Sequence, residues 1–225
     1  MVDSTVNQVP TDVQEAEAKA IEILGKTKVL TAFQAEKAWP GITAGEASIR
    51  YSEETLRECA RANAIAEADW RLVYVHGISL RRQREIIGTN RKRQPCYYDN
   101  NWWLGNGDDE WAFFETESDY YLLDFKGRFG RTSWQNQEDK IVELGPEFER
   151  AHETVVSEAA ISFYQIFKER LLETWYHWGR SLDSIGGRVG VGDFDSEGWG
   201  VDHYYPDWGG IGDDLRVCLF RKFQN

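Results

Sequence analysis

The glycines of this chain are concentrated in its C-terminal third, and this constrains the fold more than any other feature. Half of the 20 glycines lie between Gly179 and Gly212, where they alternate with tryptophans and short β-prone segments. Glycine disfavours helices and allows tight turns between strands. We therefore predict an antiparallel β-meander with strands near residues 171–178, 188–194, 199–204 and 215–223.

The N-terminal third carries helix signals instead of glycine-rich turns. Three segments begin with a Ser or Thr that is suited to cap a helix and continue with apolar residues at helical spacing. The capping positions are Thr11, Thr31 and Ser52. These signals predict that residues 11–68 are mainly helical and that residues 1–10 form a flexible tail.

Residues 69–170 mix both kinds of signal. The run Trp70–Val75 predicts a buried strand, and Ser79 is placed to cap a short helix after it. Residues 88–110 lack periodicity, which predicts a long loop. Further strands are expected at 111–115 and 119–125, with helices starting at Thr132 and after Pro146.

The predicted fold class is therefore α+β, in one domain formed by residues 11–225. A helix-rich part (11–68) and a mixed part (69–170) precede an antiparallel β part (171–225). In this arrangement the helical N-terminal part packs with the Gly/Trp-rich antiparallel β-meander of the C-terminal third.

The charge of the chain restricts its partners. The formal net charge of −12 repels nucleic-acid phosphates and anionic lipid heads, so direct nucleic-acid binding and membrane binding are not expected. A basic run, Arg81–Arg93, is expected to pair with acidic residues of the same molecule. Three cysteines without metal-ligand spacing, and the absence of a signal peptide or a long apolar stretch, favour the reducing cytoplasm.

Several tryptophans lie beside Gly, Asn or Asp instead of in apolar runs. Flat indole rings next to amides and carboxylates suit a sugar ring or a protein hot spot, although the same rings can fill a core built from short strands. The candidate ligand-binding residues are Trp102, Trp103, Trp199, Trp208 and Asp207.

The segment Asp193–Gly198 places carboxylates at alternate positions before a glycine. This is how a calcium loop begins, so Asp193, Asp195 and Glu197 are candidate ligands for Ca²⁺ or another divalent cation. The position where an EF-hand needs its last glutamate holds Tyr204, and a plain hairpin turn explains the same residues.

The candidates for acid–base chemistry are two histidines and a nearby acid, namely His177, His203 and Asp202. A histidine among aromatic residues is also well suited to packing, with a ring nitrogen bonded to the backbone.

Three functions are compatible with these patterns. The leading hypothesis is a non-catalytic recognition protein whose Trp- and Asp-lined loops bind a polar small molecule, such as a carbohydrate, or a partner protein. The alternative is a hydrolase that uses carboxylates, with or without a divalent metal. A third hypothesis is an acidic decoy that occupies nucleic-acid-binding proteins.

Overall fold

The structure is a computed structural model that describes residues 11–104, 110–206 and 214–223. The predicted tail (1–10) and the candidate residues Asp207 and Trp208 lie outside the described residues. Within the described part, no helix is both long and apolar enough to cross a membrane.

Eight strands form one mixed sheet. Their order across the sheet is β1-β2-β3-β8-β5-β6-β7, and β4 also pairs with β8. The strands are β1 (Val29–Leu30), β2 (Trp70–Val75), β3 (Asp119–Arg128), β4 (Phe148–Arg150), β5 (Tyr176–Leu182), β6 (Arg188–Gly192), β7 (Gly200–Tyr204) and β8 (Leu215–Arg221).

Six α-helices accompany this sheet in the described part of the chain, three of them in the N-terminal third. They are α1 (Thr11–Leu24), α2 (Ala32–Ala38), α3 (Glu53–Ala64), α4 (Leu80–Ile87), α5 (Trp134–Leu144) and α6 (Glu153–Phe167). The predicted α+β class is confirmed, with a helical N-terminal part and a strand-rich C-terminal part.

Local capping signals explain where several helices begin. The Oγ1 atom of Thr31 accepts from the backbone N–H of Gln34, whose side chain accepts from the N–H of Thr31. Ser52 and Ser79 cap α3 and α4 in the predicted way. These starts are fixed by contacts over three residues, so the sequence alone indicates them.

The antiparallel pairing of β5, β6 and β7 is confirmed, but the prediction for the last strand is wrong. β8 runs parallel to β5 and antiparallel to β3, so it lies in the middle of the sheet and not at the end of a meander. The pairing joins strands far apart in sequence, and no local pattern specifies it.

Three predictions in the middle of the chain are also corrected. Residues 110–113 form a 3₁₀ helix instead of the strand expected at 111–115. Helix α5 is capped by Ser133, one residue after the expected Thr132. Residues 148–150 pair with β8 as a strand, and α6 begins only at Glu153. This pairing overrides the helical spacing of the apolar residues that follow Pro146.

The glycines of the meander make room for aromatic rings as well as turns. A Cβ at Gly190 would lie 2.8 Å from the ring of Tyr204, and one at Gly200 would lie 2.7 Å from the hydroxyl of Tyr176. The rings of Tyr176 and Tyr204 therefore pack closely over these glycines, with their centroids 5.5 Å apart and their planes tilted by 59°. The glycine content reflects this packing.

Candidate functional site

The two segments that the sequence singled out lie against each other. The backbone N–H of Tyr98 donates to the carbonyl of Trp199 at 3.0 Å, and the indole N–H of Trp102 donates to the carbonyl of Val201 at 3.2 Å. Residues 97–104 therefore run along β7 and the turn before it. We call residues 97–104 and 193–204 together the aromatic loops.

Most of the described tryptophans in the aromatic loops are core residues and not a ligand surface. Trp103 and Trp199 are fully buried, and the ring of Trp199 packs edge-on against Phe194 at 5.4 Å between centroids. Trp102 is only partly buried. Buried rings cannot stack on a ligand, so Trp103 and Trp199 do not contribute to a ligand surface as predicted.

The three candidate calcium ligands each have a separate protein partner. The Oδ1 atom of Asp195 accepts from the backbone N–H of Glu197 at 2.7 Å and of Gly198 at 3.3 Å, which is the geometry of an Asx turn. Glu197 pairs with Arg91, and Asp193 accepts from the hydroxyl of Tyr98. No group of three metal-ligating side chains occurs among the described residues. The geometry fits the hairpin-turn interpretation.

His177 is a structural histidine. It is fully buried in β5, where its Nε2 atom lies 3.0 Å from the carbonyl of Ala151 and its Nδ1 atom accepts from the backbone N–H of Cys218 at 3.0 Å. Burial and the nearby Arg150 hold the pKa of His177 well below its usual range. Both ring nitrogens are engaged, so none is left for a substrate.

His203 differs, because its Nδ1 atom is held and its Nε2 atom has no hydrogen-bond partner among the described residues. Its Nδ1 atom pairs with the Oδ2 atom of the buried Asp183. The Oδ1 atom of Asp183 accepts from the backbone N–H groups of Ile185 and Gly187 at 3.1 and 2.6 Å, which fixes the carboxylate. The ring of Trp102 lies 4.6 Å from the imidazole. Only His203 among the predicted catalytic residues has this arrangement.

Asp202 supports the backbone beside His203. Its Oδ1 atom accepts from the backbone N–H of His203 at 2.8 Å, and its side chain is partly exposed. The orientation of the imidazole comes from Asp183, which the sequence did not single out.

A second site lies at the opposite end of β5 and β6 from Trp199, and the sequence did not indicate it. Helix α5 and strands β4, β5, β6 and β8 border a cleft of about 580 Å³. We call it the arginine cleft because its cations are Arg150, Arg180, Arg188 and Lys222. Its apolar side chains are Trp134, Ile141, Val142, Pro146 and Phe148.

Two carboxylates in the arginine cleft neutralise part of this positive charge. Glu138 accepts from the Nε atom of Arg150 at 2.6 Å. Glu149 accepts from Arg180 at 2.6 Å and lies 3.4 Å from Lys222. The side chains of the cleft therefore keep a net positive charge in a protein whose formal net charge is −12.

Arg150 is the structural cation of the cleft. Its guanidinium is buried and donates to the carbonyl of Trp178 at 2.5 Å and to the side chain of Gln137 at 3.0 Å, in addition to Glu138. Burial, helped by the nearby positive charge of Arg180 and opposed by Glu138, lowers the pKa of Arg150 to about 10. Every side of this group is occupied by the protein.

Arg188 has hydrogen-bonding capacity that the described part of the protein does not use. Its guanidinium lies 3.9 Å from the ring centre of Trp134, whose indole N–H is fixed by the carbonyl of Gly179 at 3.0 Å. One end of Arg188 donates to the carbonyl of Arg180, but the buried Nε atom has no acceptor, and no carboxylate pairs with it among the described residues. Burial lowers the pKa of Arg188.

Sequence reasoning missed the arginine cleft because its cations are not close in the chain. Arg150, Arg180 and Arg188 lie on three different strands, and only the folded sheet brings them together. The basic run that the sequence did emphasise is largely paired: Arg81 with Glu85, for example. The sequence signal that could have indicated the cleft is an arginine inside an otherwise β-prone segment.

Comparison of this chain with protein-family models, with curated proteins and with solved structures finds no match. The functional argument therefore rests on the geometry of the two sites.

Proposed function

We propose that this protein is a recognition protein that binds an organic anion in the arginine cleft. The observation that carries the proposal is the state of Arg188, a half-buried cation stacked on Trp134 with no carboxylate partner among the described residues. An anionic ligand supplies the charge partner that the accessible part of this guanidinium lacks among the described residues. The proposal keeps the predicted class, recognition of a polar ligand, but moves the site.

The apolar wall of the cleft favours an anion that carries an apolar body. Ile141 and Phe148 give the cleft an apolar wall, and Arg180 and Arg188 contribute to its cationic wall. A volume of about 580 Å³ lies within the usual range of small-molecule sites. Carboxylates and phosphate monoesters on an aromatic or aliphatic group match both walls.

Calorimetric titration with phenyl phosphate and with benzoate tests this proposal. Each compound combines an anionic head with an apolar ring, and we expect saturable binding with a rise in melting temperature. Substituting Arg188→Gln removes the unpaired charge at similar volume, and we expect about a tenfold loss of affinity or more. The matched control is Arg57→Gln, because Arg57 is an exposed helical arginine that pairs with Glu53.

Two results would contradict the proposal. One is no saturable binding of either compound, and the other is equal binding by wild type and by Arg188→Gln.

A second candidate function, acid–base catalysis, is favoured by the pair formed by His203 and Asp183. Because Nδ1 of His203 faces a fixed carboxylate, its proton stays on that side and Nε2 keeps a lone pair. Such a nitrogen can take a proton from water while the water oxygen attacks an ester carbonyl carbon. The resulting tetrahedral adduct collapses as its carbon–oxygen bond to the alcohol portion breaks, and Nε2 returns its proton to the departing oxygen, which leaves the acid and the alcohol.

Hydrolysis of p-nitrophenyl acetate tests this second candidate. We expect His203→Gln to remove most of the protein-dependent rate, whereas His152→Gln, at a mostly buried histidine that caps α6, leaves it unchanged. Equal rates in wild type and His203→Gln would refute an acid–base role for this pair.

A further inference from the structure

Bulky apolar side chains are exposed on α5 and on the β5–β6 hairpin, two elements that contribute residues to the arginine cleft. On α5, Val142 is 77% and Leu144 is 44% exposed, and in the β5–β6 hairpin Leu182 is 51% and Ile185 is 61% exposed. Val142 lines the cleft directly, and Leu182 lies opposite the cleft residue Arg188 in the pairing of β5 with β6. We call these four residues the apolar rim.

The apolar rim extends beyond what a small ligand can cover. A molecule that fills the cleft contacts Val142, but Leu144 and Ile185 do not belong to its lining. Exposed apolar side chains beside a site mark candidate protein-binding surfaces. A peptide segment that binds across the cleft would bury the side chains of the apolar rim.

The charge around the cleft limits how acidic that segment can be. The cleft itself is positive, but the protein as a whole carries a formal charge of −12 and repels polyanions at longer range. A nucleic acid or a polyglutamate run is therefore disfavoured. A segment with one or two carboxylates between apolar residues gains the local contacts without strong repulsion.

Resting on the proposed function, we infer that the anion bound in the arginine cleft is carried by a partner protein, as a short acidic segment with bulky apolar residues beside its carboxylate. The carboxylate meets Arg188 and Arg180, and the flanking side chains cover the apolar rim. This combination of a charged centre and apolar flanks gives both affinity and selectivity.

Selection of random peptides of about twelve residues, displayed on phage, against the full immobilised chain tests this inference. We expect the enriched peptides to place Asp or Glu next to Leu, Ile or Phe. The strongest binder, labelled with fluorescein, is then titrated by anisotropy. Arg188→Gln is expected to weaken its binding about tenfold or more.

The rim is tested separately from the cation. The double variant Leu182→Ser/Ile185→Ser is expected to weaken the peptide several-fold while leaving phenyl phosphate binding unchanged. The control is Ile65→Ser, because Ile65 is a comparably exposed residue that follows α3 and does not line the cleft. A merely destabilised protein would lose both ligands together.

The outcomes separate this inference from the proposed function. If phenyl phosphate binds through Arg188 but no acidic–apolar peptide is enriched, or if the rim variant binds the peptide as wild type does, the inference is wrong and the proposed function stands. If neither ligand depends on Arg188, both are wrong. Enrichment of basic peptides, or self-association through the rim in sedimentation experiments, also overturns the inference.

Discussion

The aromatic loops and the arginine cleft differ in how the protein pairs its own charged side chains. In the aromatic loops, Asp195 and Glu197 each have a protein partner, and Trp199 is sealed in the core. In the arginine cleft, the half-buried guanidinium of Arg188 stacks on Trp134 and donates to a backbone carbonyl, but it pairs with no carboxylate among the described residues. Composition drew attention to the first region, but a partly accessible cation without a charge partner marks the second as the better binding site.

The two histidines of the meander repeat this contrast at smaller scale. His177 and His203 lie on strands of the same antiparallel unit. His177 uses both nitrogens to hold backbone groups, whereas His203 has one nitrogen fixed by Asp183 and is partly exposed. Residue type therefore says less about function than the hydrogen bonds that remain open.

The largest expected effect tests whether the aromatic loops are structural. Trp199→Ala removes a fully buried indole that packs on Phe194, so we expect a loss of about 3–5 kcal/mol in the free energy of unfolding. Equilibrium denaturation with urea measures it. Trp102→Ala, at a partly buried ring, is the comparison and should cost clearly less. If both variants lost little free energy of unfolding, and by similar amounts, Trp199 would be a surface residue.

A similar test divides the arginine cleft into a structural and a binding cation. Arg150→Met leaves Glu138 without its guanidinium partner and the carbonyl of Trp178 without its donor, so we expect a loss of about 3 kcal/mol. Urea denaturation again provides the measurement, with Arg188→Gln as the matched variant. A stability loss in Arg188→Gln as large as that in Arg150→Met would contradict the division.

Features that depend on contacts between near neighbours in the chain could be predicted from the sequence, whereas features that depend on contacts between distant segments could not. The starts of α2 and α4 depend on Thr31 and Ser79 and on contacts over three residues, so they could be read from the chain. The central place of β8 depends on pairing with β3 and β5, which nothing local encodes.

The candidate site obeys the same limit. Neighbouring residues predicted the turn around Asp195, but the approach of Arg188 to Trp134 joins a strand to a helix more than fifty residues earlier. Whether a side chain is buried also depends on contacts between segments that are distant in sequence. The flanking glycines of Trp199 suggested exposure, yet its ring is fully buried, in a loop whose Gly198 lies directly against Cys96.

A pH titration sharpens the contrast between the two histidines. Burial lowers the pKa of His177 well below its usual value, so below about pH 6.5 the unfolded chain binds a proton that the folded chain does not. Stability is therefore expected to fall as the pH drops from 7 to 5, by up to about 1.4 kcal/mol per pH unit from this group.

The variant His177→Gln isolates this contribution, because glutamine has no titrating group in this range. We expect a flatter dependence of the unfolding free energy on pH, whatever the change in absolute stability. His152 also has a pKa lowered by burial, so part of the slope remains. An unchanged slope in His177→Gln would show that the buried imidazole does not control the acid response.

The smallest expected effect on stability is the most informative one about function. Burial lowers the pKa of Arg188, so lost hydration offsets part of what its charge gains from contact with Trp134. Arg188→Gln is therefore expected to lower the free energy of unfolding by no more than about 1 kcal/mol, because it loses the hydrogen bond to the carbonyl of Arg180 and the contact with Trp134. Adding phenyl phosphate should then raise the melting temperature of wild type but not of the variant. If Arg188 contributes little to the free energy of unfolding and much to ligand affinity, its role is in binding, because proteins commonly accept local instability where a site needs it.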